Sequence, residues 1–384
     1  MDDYARHGKI WRILYALCHR WICRKFALEH RDLDIEGPVL LIPVHSCAWD
    51  PLLVAMSLPR KQVYFVASEH LFRLGPVSRL LNWLVAPIPR RKASSGADTV
   101  KACLRQLRSG HSVCLFAEGE QCWDGRSQPV FPATGKLARA SGATLVTFKI
   151  EGGYLSCPRW GKGVRRGRTR GYPVGIYSPE ELKAMTPSEI DACIDRDLRE
   201  DAWERQRQDP VRFRGRRRAE GLEQLLYLCP ACGKISTLGT KGDRIFCSCG
   251  LDLRYEETGA LSPVGAGSAA PFPDPGQWAD WQREQLRRRV FPEGEPLFSD
   301  EGLILRKLCQ GHREEELGRG RLEQWQDRLV CAGRVFPLTE ISDMAAVLSS
   351  RLLLSCGDAY YEILGKRGTN MLKYLQIWRQ RQEG

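Results

Sequence analysis

Between residues 38 and 150, apolar runs of strand length alternate with stretches of helical period. Residues 39–44, 62–67, 112–116 and 143–150 read as strands; 51–58, 76–84, 99–108 and 135–140 read as helices. That alternation predicts an α/β domain around a largely parallel sheet, whose strand carboxyl ends carry the chemistry. Beyond residue 172 the pattern turns more helical. Ser178-Pro-Glu-Glu181 reads as a helix start with acidic residues in its first turn, and a polar helical stretch continues to about residue 207. A cysteine-containing insert follows at 227–255. Residues 261–276, rich in Pro, Gly, Ala and Ser, read as a linker. Short strand-like runs at 303–307, 321–325, 328–331, 352–355 and 360–364 then lead to a helix over 370–380, which suggests a small α+β module with the strand-then-helix order of a pleckstrin-homology or GRAM domain. The expected organisation is a basic amphipathic helix over 1–30, the α/β domain over 31–225, the cysteine insert over 226–260, the linker over 261–276 and the last module over 277–384.

Composition narrows the partners. With 384 residues the chain can bury two or three cores, and its net charge of +12 calls for an acidic partner such as anionic lipid, a phosphate-bearing cofactor or nucleic acid. Fifteen cysteines are an odd number, mostly scattered singly, and no cleavable signal segment precedes them. A reducing, cytoplasmic setting is expected. Arg12, Arg20, Arg24 and Lys25 interrupt the apolar run of 8–28 too often for a membrane span. That helix either lies in the head-group layer through Trp11, Trp21 and Phe26 or packs its apolar stripe on the main domain.

Two runs carry the candidate chemistry. Pro43-Val-His-Ser-Cys-Ala-Trp-Asp50 places an imidazole and a carboxylate on one short loop after a strand. Phe116-Ala-Glu-Gly-Glu120 ends a second strand with a carboxylate and a glycine. Asp50 precedes Pro51 at a helix start, so it could equally be a helix cap. Between the runs, Ala86-Pro-Ile-Pro-Arg-Arg-Lys92 clusters cations after an apolar stretch.

In order and spacing, residues 38–154 resemble the glycerolipid acyltransferase family, the 1-acylglycerol-3-phosphate acyltransferases, with their Asn-His-x4-Asp, arginine-ended and Phe-Pro-Glu-Gly-Thr-Arg-Ser motifs. A fourth element corresponds to 145–152. The resemblance implies His45 as general base, Asp50 as its orienter, Arg90 (or Arg91) on the acceptor phosphate, and Glu118 and Gly119 as part of the acceptor platform. It implies acyl-CoA or acyl-carrier protein as donor, a lysophospholipid as acceptor, and a peripheral site on the anionic inner face of the cell membrane. The chain departs from the family at Val44 for Asn, Ala117 for Pro, and Glu120-Gln121-Cys122 for Thr-Arg-Ser. Arg126 or Lys136 are candidates to replace the missing arginine. In this scheme the imidazole takes the proton of a lipid hydroxyl as it attacks the thioester directly, so Cys47 is read as packing and not as a nucleophile. Phe291-Pro-Glu-Gly-Glu295 copies the third motif, but no His-x4-Asp lies in its own module, and it reads as a turn.

Cys229-Pro-Ala-Cys232 and Cys247-Ser-Cys249, each pair closed by a glycine (Gly233, Gly250), fit a zinc ribbon in which zinc is structural. Four unrelated buried cysteines are the plainer alternative. A ribbon beside basic clusters at 165–170 and 216–218 also permits a nucleic-acid binder. The ribbon's near-balanced charge and the lack of interleaved aromatics weigh against it, and no nucleic acid is expected. A non-catalytic lipid-binding scaffold of the same fold is the other alternative.

Overall fold

The strand Val39–Pro43 is buried along its whole length, and successive side chains enter two different cores. Val39 and Leu41 pack with Trp11, Ile22, Phe26, Leu53 and Val54, while Leu40 and Ile42 pack with Cys103, Leu107, Leu137, Ile190 and Ile194. A strand buried on both faces belongs at the centre of a sheet covered by helices on each side, and a continuous apolar run follows from that position. This computed structural model describes residues 3–73, 75–90, 96–265, 269–290, 292–309, 314–347, 350–366 and 368–383.

The chain divides into two units, Met1–Arg91 with Gly96–Arg159 and Gly163–Gly215, and a second built mainly from Arg216–Gly384. The first holds a seven-stranded sheet: β1 (Leu28–His30), β2 (Val39–Pro43), β3 (Val63–Ser68), β4 (Ile88–Arg90), β5 (Ser112–Cys114), β6 (Thr144–Glu151) and β7 (Thr169–Tyr177), in the order β1-β7-β6-β2-β5-β3-β4. From β6 through β4 every pairing is parallel, whereas β7 runs antiparallel to β6 and β1 runs parallel to β7. The carboxyl ends of β2, β4, β5 and β6 therefore lie along one edge, and the described loops that leave it begin at Val44, Leu115 and Gly152. Helices α1 (Asp3–Phe26), α2 (Asp50–Ala55), α3 (Pro76–Val85), α4 (Ala97–Arg108) and α5 (Thr134–Ser141) include the expected ones to within a few residues.

β7 was not expected. Pro173, Gly171 and Gly175 interrupt its apolar pattern, yet Gly175 is needed there, because a Cβ would come within 2.4 Å of Asp197 Oδ2. In α1, two of the three aromatics expected in a head-group layer, Trp11 and Phe26, are packed in the core instead, and Trp21 is exposed. Trp11, Ile22 and Phe26 are buried, while Ile13, Leu17 and Trp21 are exposed, as are Val77, Leu80 and Trp83 on α3. Among the described residues no helix is long and apolar enough to cross a membrane.

The second unit joins what composition divides. Strands β8 (Leu238–Lys241), β9 (Arg244–Cys247), β10 (Asp252–Tyr255) and β11 (Leu261–Pro263) form an antiparallel sheet, so the expected linker begins as a strand. It ends as a helix, Pro275–Arg287, capped by Asp274 accepting from the Gln277 N–H. Gln282 of this helix accepts from the backbone of Tyr227 and Leu228 and donates to Leu225 O, and Trp278 donates to Leu228 O. These bonds make the cysteine segment and the carboxy-terminal module one unit. The module is a seven-stranded antiparallel sheet over 298–364, followed by a helix at Leu372–Glu383. In the copy of the third motif, Phe291 lies outside the described residues, and Glu293 and Gly294 form a turn with Gly294 at φ 72°.

Candidate active site

Local spacing builds the first part of the site. The loop after β2 turns at once into α2, so His45 and Asp50 meet: His45 Nδ1 lies 2.9 Å from Asp50 Oδ2. The same oxygen accepts the backbone N–H groups of Ser46 and Cys47 at 2.6 and 2.8 Å, while Oδ1 accepts Ser46 Oγ and Cys47 Sγ at 2.9 and 3.2 Å. Asp50 is fully buried, and its carboxylate folds back on the loop instead of capping the first turn of α2. Because an ionised carboxylate only accepts, the imidazole must donate from Nδ1, which leaves Nε2 with the lone pair that could accept a proton. The ring stacks on Phe116, with centroids 4.2 Å apart. Cys47 is buried beside Asp50, and burial first, then that carboxylate, push its thiol well above the ordinary range. It is a poor nucleophile. Val44 stands where the related family has Asn, and its side chain enters the core.

Glu118 binds this loop to the one after β5. Its Oε1 accepts the His45 N–H at 2.6 Å and its Oε2 accepts the Gln128 N–H at 2.7 Å. Both oxygens are engaged with backbone and the residue is buried, so Glu118 ties the His45 loop to the loop after β5. Gly119 adopts φ 75°, and a Cβ there would fall 2.1 Å from the Phe131 ring. Phe131 in turn carries the Arg90 guanidinium 4.6 Å above its centroid. Arg90 and Gly119 are thus joined through an aromatic residue to which no sequence motif pointed. Arg91 lies outside the described residues. At the end of β6, Gly153 lets the chain approach the His45 loop, since a Cβ would meet Ser46 Oγ at 2.3 Å.

Burial raises the Glu118 carboxyl to about 8 against the two backbone N–H groups, with Asp50 and Glu120 adding to the rise. The folded state therefore keeps a proton that the unfolded chain loses above the ordinary carboxyl range, so stability falls as pH rises from about 4.5 toward 8. Glu118→Gln should flatten that slope. Urea denaturation at pH 5 and 8 is expected to show wild type losing on the order of 2–4 kcal/mol more than the variant between the two, and parallel losses would contradict it.

The altered third motif has a partner that the sequence does not announce. Arg159 Nη1 lies 2.9 Å from Glu120 Oε2 and 3.0 Å from Gln121 O, and its guanidinium sits 3.9 Å over the Trp123 ring. The pair is almost wholly buried, so the extra carboxylate brings its own counter-charge. Arg126 pairs with Asp201 and Lys136 is exposed on α5, so neither takes the missing arginine's place.

A cavity of about 510 Å³ opens beside the imidazole. Trp11, Tyr15, Leu52, Phe65, Leu81 and Leu84 line it, with His45 and Gln121 among its few polar groups. It is of ligand size, apolar, and has the His45 imidazole in its wall.

In the second unit the four predicted cysteines converge. Cys229 and Cys249 sulfurs are 3.7 Å apart, Cys232 and Cys247 sulfurs 3.9 Å, and all four lie within 4.8 Å of one another. A disulfide would need about 2.05 Å. Sulfurs bound tetrahedrally at about 2.3 Å from one ion would be separated by about 3.8 Å. Gly233 and Gly250, at φ 67° and 102°, make the two tight turns. The cluster could bind a metal ion.

The acyltransferase family model matches residues 24–151, the segment containing every element just described from β1 to the end of β6. A crystal structure of the 1-acyl-sn-glycerophosphate acyltransferase PlsC from Thermotoga maritima is similar at 16% identity, covering 50% of this chain and 77% of that one with a TM-score of 0.39. The family match falls on the segment that carries both the His45–Asp50 loop and the Glu118 loop, so residues 24–151, a third of the chain, are similar to an acyltransferase domain.

Proposed function

We propose that the protein transfers a fatty acyl group from a thioester, acyl-CoA or acyl-carrier protein, to the free hydroxyl of a lysophospholipid such as 1-acylglycerol-3-phosphate. The observation that carries this reading is the oriented His45 imidazole in the wall of an apolar cavity large enough for an acyl chain. The acceptor hydroxyl gives its proton to Nε2 as its oxygen attacks the thioester carbonyl. Asp50 steadies the imidazolium. The tetrahedral intermediate then expels the thiolate, which takes the proton back from Nε2, leaving ester and thiol. Arg90, on the Phe131 ring beside Gly119, is the cation we assign to the acceptor phosphate. The exposed apolar residues of α1 and α3, together with the basic residues of α1, would rest on an anionic membrane surface. We assign zinc to the four-cysteine cluster, in a structural role, since four thiolates leave no open position.

The test is transfer from labelled acyl-CoA and acyl-carrier protein to a panel of lysophospholipids, with wild type beside His45→Ala. We expect product from wild type and a loss of at least about 10³-fold in the variant. Equal turnover by both would remove His45 from the mechanism. No product with any pair, from folded protein, would favour a lipid-binding scaffold.

A further inference from the structure

A second convergence of metal-ligating side chains lies in the first unit. His19 and Cys23 are four residues apart on α1 and so share one helix face. The chain leaves α1 through Ala27 at φ 47° and returns as β1, whose last residue is His30. That reversal places His30 Nε2 at 2.9 Å from His19 Nε2, with Cys23 Sγ at 3.6 Å from the same nitrogen. All three donor atoms lie within 4.8 Å of one another, and all three residues are partly buried.

The plain reading is a hydrogen bond between two neutral imidazoles. It accounts for one of the two contacts. A single ring N–H on His19 can serve His30 or Cys23 and not both, while a cation would take a lone pair from each of the three atoms. The spacings are those of a coordination shell. Zinc at about 2.05 Å from nitrogen and about 2.3 Å from sulfur puts tetrahedral N–N and N–S edges at about 3.3 and 3.6 Å. The His19–Cys23 edge matches, and the His19–His30 edge needs an opening of a few tenths of an ångström. Asp32 Oδ1 lies 3.2 Å from the other nitrogen of His30, which favours the proton on Nδ1 and the lone pair on Nε2. A carboxylate behind a ligating imidazole is the usual second layer of such sites. Tyr15, one turn before His19, packs against the His19 ring at a tilt of 31° with centroids 4.9 Å apart, and Tyr15 and Cys18 both line the apolar cavity.

We propose that His19, Cys23 and His30 form a second metal site, for zinc or a similar borderline divalent cation, that staples α1 to β1 and so fixes one wall of the cavity. Two imidazoles and one thiolate suit that class of ion, and the fourth position is left to water or an outside ligand.

Metal content of the full-length protein, loaded with Zn²⁺ or Co²⁺ and desalted, tests this. Wild type should hold two ions per chain. His19→Asn/His30→Asn and Cys229→Ser/Cys232→Ser should each hold one. The Co²⁺-loaded Cys229→Ser/Cys232→Ser protein should keep tetrahedral d–d absorption with a single-thiolate charge-transfer band, and Cys23→Ser added to it should abolish that band. In the same background, Zn²⁺ at about 100 times its Kd should raise amide protection of residues 19–30 by about 100-fold. Equal metal counts in wild type and in His19→Asn/His30→Asn protein of unchanged circular dichroism would overturn the site. So would the absence of d–d absorption from the Cys229→Ser/Cys232→Ser protein.

Discussion

Asp50→Asn is expected to lower kcat for acyl transfer by about 10²–10³-fold while leaving the fold and the His45 tautomer in place. The reason lies in how the five donors divide between the two carboxylate oxygens. Oδ2 receives three groups that can only donate to it: the His45 Nδ1–H and the backbone N–H groups of Ser46 and Cys47. Oδ1 receives a hydroxyl and a thiol, both of which can rotate and accept instead. An asparagine therefore has one good orientation, with its oxygen at the Oδ2 position and its amide facing Ser46 Oγ and Cys47 Sγ. Nδ1 stays the donor, unlike the tautomer inversion that follows this change in a serine-hydrolase triad. What disappears is the negative charge beside the imidazolium, worth on the order of 4 kcal/mol at an effective dielectric near 20. Asp50→Ala should behave differently: it strands the three fixed donors on Oδ2 and is expected to destabilise the first unit by roughly 3–5 kcal/mol. Steady-state kinetics, urea denaturation and ¹⁵N spectra of His45 separate these effects. Turnover of Asp50→Asn within threefold of wild type would mean that the carboxylate only shapes the loop.

The legible and illegible parts of this chain differ for physical reasons. β2 can be read from sequence because a strand buried on both faces is a continuous apolar run bounded by turn residues. The Ser178–Glu181 start is legible because a capping box is local, and the structure contains both of its reciprocal hydrogen bonds. His45 and Asp50 are visible for the same reason, being five residues apart on one turn. β7 is hidden because close packing against Asp197 demands a glycine that weakens its strand pattern. β11 is hidden inside a Pro- and Gly-rich stretch whose pairing with β10 is a tertiary event. Arg159 and Phe131 could not be found by motif, because each becomes relevant only when the fold brings it to Glu120 or to Gly119 and Arg90. The cavity is the extreme case: α1, α2, α3 and β3 each supply a few side chains, and no local pattern marks their shared surface.

Removal of metal from the four-cysteine cluster is expected to lower amide protection of Ile245 and Phe246 by on the order of 10³-fold, about 4 kcal/mol, while β2 keeps its protection. β8 to β10 are four residues long and β11 three, and of the three hydrophobic residues along β9 Ile245 and Cys247 are buried while Phe246 is exposed. So small a sheet buries too little apolar area to order itself, and a metal bridging Cys229 and Cys232 to Cys247 and Cys249 would close it at one end. Without an ion, four thiols are left within 4.8 Å of one another. Chelation also empties any site at His19, Cys23 and His30, so the decisive variant is Cys232→Ser, in which that site is intact. Hydrogen exchange followed by mass spectrometry should show fast exchange across 238–255 in Cys232→Ser and slow exchange across 39–43. The β2 strand sits at the centre of the other unit's sheet, with its own two cores, and does not depend on the cluster for burial. Unchanged protection at Ile245 and Phe246 in that variant would mean that the cysteines are packing residues and that the sheet is held by its strand pairings alone.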